Sequence, residues 1–92
     1  MYHLLFYEVV ADYVDRRAPF RESHLKLARE ARGRGELLMA GSFGEPIEGA
    51  VLIFRSADPS TAERFAQVDP YVTEGLVTDW RVRKWHEVLT EG

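Results

Sequence analysis

Residues Tyr2 to Val10 constrain the fold more than any other stretch, because both alternating sets of side chains are apolar. Tyr2, Leu4 and Phe6 fall on one face of a strand, and Leu5, Tyr7 and Val9 on the other. Such a strand has to be covered on both sides. A chain of 92 residues with two helical stretches covers one side of a small sheet from its own resources. The spare side predicts a second sheet from a partner, and hence a homodimer. Size points the same way, since a domain of this length buries only about 60–65% of its unfolded surface and gains from association.

The remaining elements follow from periodicity and punctuation. Pro19 suits the first turn of a helix whose inward stripe is Phe20, His24, Leu27, Ala28 and Ala31. Its outer face carries Glu22, Lys26, Arg29 and Glu30, with Glu22 and Lys26 as an i,i+4 pair, and Gly33 and Gly35 end it. Strands over Glu36 to Phe43 and Ala50 to Phe54 form a hairpin around Gly44, Pro46 and Gly49, and Gly41 is expected where backbones approach closely. A second helix starts near Asp58-Pro59-Ser60, with Ser60 and Glu63 as a capping box and Ala62, Phe65, Ala66 and Val68 along it. Asp69 to Gly75 reads as a further single turn, with Asp69 as cap, Pro70 in the first position and Gly75 at the exit. Leu76 to Trp85 is the last strand, and Trp80 and Trp85 lie on its opposite faces.

The order β-α-β-β-α-β predicts an α+β, ferredoxin-like domain over residues 1–92, with one antiparallel sheet and both helices on one face. Right-handed crossovers then run the two helices antiparallel. The start of the first helix and the end of the second meet at one end of the domain, and so does the hairpin loop.

Composition narrows function by exclusion. The net charge is −3 with no sustained block of like charge, which argues against nucleic acid and anionic membrane as partners. There is no cysteine, so thiolate chemistry and disulfides are excluded. The apolar run Leu4 to Tyr7 is far too short for a signal-peptide core or a membrane span, and a cytoplasmic protein is the expectation. His3, His24 and His86 share no metal-binding spacing, so neither a metal nor a cofactor is expected. Gly33-Arg34-Gly35 follows a helix where a phosphate loop would lead into one, and Ser23 points away from His24.

What remains is the pair that topology brings together. A carboxylate beside imidazole fixes which ring nitrogen carries the proton and stabilises the imidazolium that forms when the other accepts one. His24 and Asp69 therefore read either as a general acid–base pair or as a core histidine satisfied by a helix cap. Arg17 and Arg21 precede His24 near the helix start, where they either hold an anionic or phenolate-bearing ligand or stand solvated. Tyr71 either donates its hydroxyl to that ligand or packs under the loop. Gly41 and Ser42, on the approach to the hairpin loop, complete the candidate substrate contacts.

Several motifs together resemble the YciI-like (YCII-related) family over essentially the whole chain. They are Arg21-Glu22-Ser23-His24-Leu25, Gly35-Glu36-Leu37 leading to Ala40-Gly41, and Asp69-Pro70-Tyr71 followed by Gly75-Leu76. The resemblance implies a ferredoxin-like domain that dimerises sheet to sheet, a dimeric α+β barrel, with family site residues mapping onto His24 and Asp69. It implies no single established reaction: the family's best-supported chemistry is dehydrochlorination of a chlorinated hydroxyhydroquinone by a His–Asp pair, and related folds include an isomerase. The chain departs from the family pattern at Ser42, where proline is common, and at Glu48-Gly49, where Asp-Gly is frequent. The expectation is a cofactor-independent lyase or isomerase acting on a small, hydroxylated cyclic or aromatic molecule. The alternatives are a non-catalytic ligand-binding or accessory dimer, and haem binding through His24.

Overall fold

The computed structural model describes residues 1–89; residues 90–92, included in the expected domain, lie outside the described residues. Strand β1 (Tyr2–Val9) leads through a short helix α1 (Tyr13–Arg16) and a 3-10 turn (Ala18–Phe20) into helix α2 (Arg21–Gly33). The hairpin β2 (Leu37–Phe43) and β3 (Gly49–Arg55) comes next, followed by α3 (Ser60–Val68), the single turn α4 (Pro70–Thr73) and β4 (Val77–Trp85). The sheet order is β2-β3-β1-β4 with every neighbouring pair antiparallel. This is the expected ferredoxin-like arrangement.

Register sorts the strand faces. Leu5 lies opposite Leu52 and Val82, and Tyr7 opposite Ala50 and Trp80, so His3, Leu5, Tyr7, Leu52, Phe54, Trp80 and Val82 face the helices. There they meet Ala31, Ala62, Phe65, Ala66, Tyr71 and Leu76 in one core. The other face carries Tyr2, Leu4, Phe6, Val51 and Ile53 with no helix over it. Trp85 packs edge-on against Tyr2 at 6.0 Å and Arg81 lies over the Phe6 ring at 5.6 Å. Met39, Phe43 and Trp85 remain exposed. Among the described residues no helix is long and apolar enough to cross a membrane.

Several local expectations are corrected. Pro19 sits in the 3-10 turn ahead of α2, and Arg17, which the sequence allows either at the helix edge or just outside it, closes the unexpected α1 outside α2. The start of α3 is capped by Asp58, whose Oδ1 accepts from the Ser60 backbone N–H at 2.9 Å and from the Ser60 hydroxyl. Ser60 is thus spent as a donor to Asp58, which displaces the Ser60–Glu63 box. These bonds favour the charged carboxylate and hold the Asp58 pKa below its ordinary value. Glu22 pairs with Arg29 at 2.8 Å, and no bond to Lys26 forms. Gly35, at φ +79°, closes α2 in a Schellman motif, with Gly35 N–H bonded to the Arg32 carbonyl and Glu36 N–H to the Ala31 carbonyl.

Close backbone approach falls at Gly49, where a Cβ would collide with the Tyr7 carbonyl oxygen, whereas open space surrounds Gly41. The difference comes from position in the sheet. Gly49 is on β3, which lies between two strands, and Gly41 is on the exposed edge strand β2. The close contact also brings the end of β1, and with it Tyr7, up to the hairpin turn.

Candidate active site

The chain around Asp69 is bent sharply, and the bend mounts the carboxylate. Asp69 ends α3 through its N–H bond to the Phe65 carbonyl at 3.0 Å, then takes extended angles, φ −67° and ψ 123°, so α4 starts in a new direction. Its side chain caps α4, with Oδ1 accepting from the Tyr71 N–H at 3.0 Å, and Pro70 fills the first helical position, where no N–H is needed. Gly75, at φ +81°, lets the chain leave α4 and enter β4.

Asp69 is fully buried, and its remaining acceptor capacity is also used. The Tyr7 hydroxyl donates to Oδ2 at 2.7 Å. His24 Nδ1 lies 2.9 Å from Oδ1 and 3.0 Å from Oδ2, bridging both oxygens. An ionised carboxylate only accepts, so the contact requires the proton on Nδ1, and in the neutral ring that tautomer leaves the lone pair on Nε2. The antiparallel helices thus deliver the pairing expected from topology. Capping and imidazole contact coexist on the same carboxylate, because each oxygen has more than one lone-pair direction.

The imidazole is held by rings as well as by charge. Tyr71 stacks on it with centroids 3.9 Å apart and planes 8° from parallel, and Phe65 meets it edge-on at 6.4 Å. Tyr13, from α1, packs edge-on against Tyr71 at 5.6 Å, and the Arg17 guanidinium lies 5.3 Å over the Tyr13 ring. The His24 side chain keeps 15% exposure, so the ring is reachable at one edge. Burial, then the neighbouring Asp69 charge and its hydrogen bond, push the Tyr7 phenol far above its ordinary pKa and keep it a donor.

Of the expected residues, the structure brings His24, Asp69 and Tyr71 together and sets Arg21 at the first position of α2, one turn before His24. Arg17 stands at the edge of the group through Tyr13. Gly41 and Ser42 lie on the exposed edge strand opposite Val51 and Ala50; with Met39, Phe43 and Ile53 they border a shallow hollow that includes neither His24 nor Asp69. Tyr7 and Tyr13 were missed. Tyr7 carried a signal, since a tyrosine on the helix-facing side of a central strand has to find a partner for its hydroxyl. Among the described residues no three His, Cys, Asp or Glu side chains form a group that could hold a metal ion. A second histidine, His3, is buried and tied down, with Nδ1 3.3 Å from the Ser56 hydroxyl, which itself donates to the Asp58 carbonyl.

Fold and site together define a ferredoxin-like α+β domain with a buried carboxylate–imidazole pair at one end of its helix layer. The chain belongs to the YCII-related domain family, whose profile matches residues 1–86. An uncharacterised protein of Haemophilus influenzae is 27% identical over 98 residues, covering 97% of this chain and all (100%) of the relative. The same fold occurs in a dehydrochlorinase of Burkholderia phenoliruptrix, TftG, which acts on 5-chloro-2-hydroxyhydroquinone and was solved with 2,5-dihydroxybenzoquinone. That structure superposes with a TM-score of 0.76 at 17% identity, covering 94% of each chain.

Proposed function

We propose that this protein is a cofactor-independent enzyme in which His24 and Asp69 move a proton on a small, hydroxylated cyclic or aromatic substrate, as a lyase or isomerase would. One observation carries the reading: Nδ1 of His24 is committed to both oxygens of a buried Asp69, while Nε2 makes no hydrogen bond among the described residues. His24 is then the base, or the acid on return of the proton, and Asp69 orients it and stabilises its charged form. Tyr7 and the Tyr71 N–H keep the carboxylate in place, so little reorganisation accompanies the transfer. The ring substrate of the dehydrochlorinase with the same fold supports the substrate class. The apolar sheet face of Tyr2, Leu4, Phe6, Val51 and Ile53, bare of helices, supports a homodimer paired sheet to sheet.

The test is chloride release from a chlorinated hydroxyhydroquinone by wild type, His24→Gln and Asp69→Asn, with circular dichroism confirming that each variant is folded. Loss of His24 lowers the rate by roughly 10²–10⁴. Turnover unchanged in both variants would sink the acid–base assignment. A ligand that binds saturably and is recovered unchanged from the wild type after long incubation makes the protein a binding module instead.

A further inference from the structure

We infer that Tyr71 and Arg21 form a binding point for an ionised oxygen of the ligand, a phenolate, enolate or carboxylate oxygen, beside the His24 imidazole. The inference rests on the acid–base reading of His24 and Asp69 and narrows its substrate class. It starts from an orphan. Tyr71 is 2% exposed, and its hydroxyl is a buried side-chain polar atom without a hydrogen-bond partner among the described residues. Folded proteins rarely leave such a group unpaired, and those that do often use it.

The Tyr71 ring has no freedom to seek a partner of its own. His24 stacks on one face, Tyr13 packs edge-on against it, and the Tyr71 backbone is bound to Asp69. The partner must therefore come to the hydroxyl. Burial first and Tyr13 second raise the pKa of the phenol, against the charges of Arg21 and Arg17 and against Arg21 as a donor towards the phenol oxygen, which lower it; none of these gives the hydroxyl proton an acceptor. At neutral pH the phenol is consequently a donor, in a place where positive charge favours an anion. Guanidinium groups only donate, so they can meet the lone pairs of the phenol oxygen but leave its proton without an acceptor, in a place of positive charge. A negatively charged oxygen satisfies both, whereas a cation or an apolar group does not.

Approach runs through Arg21. This side chain is exposed at the head of α2, whereas Arg17 is held over Tyr13. Arginine rotamers change at small cost, so Arg21 can pair with the incoming oxygen and admit it to the hydroxyl beneath. An oxygen seated there is next to the ring stacked on Tyr71, where removal of a proton by His24 would leave negative charge that Tyr71 and Arg21 stabilise.

The experiment titrates wild-type protein with 4-nitrophenol at a pH where both free forms are present, reading phenolate absorbance; benzoate competes in a second arm, and 4-nitroanisole is the uncharged control. Binding is expected to raise the phenolate fraction, with no comparable affinity for nitroanisole. Tyr71→Phe and Arg21→Gln each weaken phenolate binding by about tenfold, the loss expected for a hydrogen bond to a charged group. Tyr71→Phe does so without lowering Tm, because its hydroxyl proton has no acceptor in the free protein; a purely structural hydroxyl would cost Tm as well. Competition by benzoate assigns the binding point to carboxylates as well as phenolates. Unchanged affinity in both variants, a lower Tm in Tyr71→Phe, or no wild-type binding of either anion at millimolar concentration overturns the inference. Failure of the acid–base reading shows separately, as full turnover in His24→Gln.

Discussion

Replacing Tyr7 by phenylalanine removes one oxygen atom from the interior and tests how the site is held. The hydroxyl donates to Asp69 Oδ2 at 2.7 Å, and Asp69 is fully buried. Without it, Oδ2 retains only the 3.0 Å contact with His24 Nδ1. Hydrogen bonds to charged groups contribute about 1.5–3 kcal/mol, and Asp69 has no solvent-exposed surface at which the lost donor could be replaced. The stability of Tyr7→Phe should therefore fall by about 2 kcal/mol. For a domain of this size each kcal/mol moves Tm by roughly 4–8 °C, so the melting point should drop by roughly 8–16 °C. The shape of the ring is unchanged, so packing against the core contributes little to the difference. Thermal unfolding followed by circular dichroism reads the shift directly. A Tm within about 2 °C of wild type would refute the claim that Tyr7 bears on the buried carboxylate, since that shift corresponds to well under 1 kcal/mol.

The same phenol dictates alkaline behaviour. Its folded pKa is raised above the unfolded value near 10.0, so above that pH the unfolded chain loses a proton that the folded chain keeps. Stability should decline with pH above about 10 by an extra 1.4 kcal/mol per unit in wild type relative to Tyr7→Phe, and parallel urea-unfolding profiles would contradict this. Gly49→Ala should destabilise by about 1–3 kcal/mol, as its Cβ meets the Tyr7 carbonyl, while Gly41→Ala should be nearly neutral; equal urea midpoints for the two would reject the contrast. Ile53→Glu, on the face without helices, should abolish the proposed sheet-to-sheet pairing: light scattering is expected to give a dimer for wild type and a monomer for this variant, and a wild-type monomer would refute the pairing. Asp58→Ala should cost about 1 kcal/mol and Ser60→Ala less, since Asp58 is the cap of α3; the reverse order in thermal melts would restore the Ser60 box.

Much of the architecture was legible because it is written in short-range pattern. Alternation in Tyr2 to Val9 identified a strand with two apolar faces, and glycines at 35 and 75 marked helix exits whose positive φ the backbone requires. Errors arose where two residues compete for one local role. Asp58 and Ser60 both suit a cap, and spacing cannot tell which accepts and which donates. Likewise Gly41 and Gly49 look alike in sequence, and only the difference between an edge strand and an inner one separates them.

For the candidate site the division is sharper. The amino-acid sequence by itself determined which elements meet: element order and the handedness of the crossovers bring the start of α2 to the end of α3, and His24 to Asp69 with it. Only the tertiary structure decided how they meet. It put Tyr7 on the carboxylate, laid Tyr71 flat on the imidazole and left the Tyr71 hydroxyl without a partner. The physical reason is range. Helix and strand patterns depend on neighbours a few residues apart, whereas a hydrogen bond depends on register, rotamer and burial summed over several elements, and a shift of one ångström makes or breaks it.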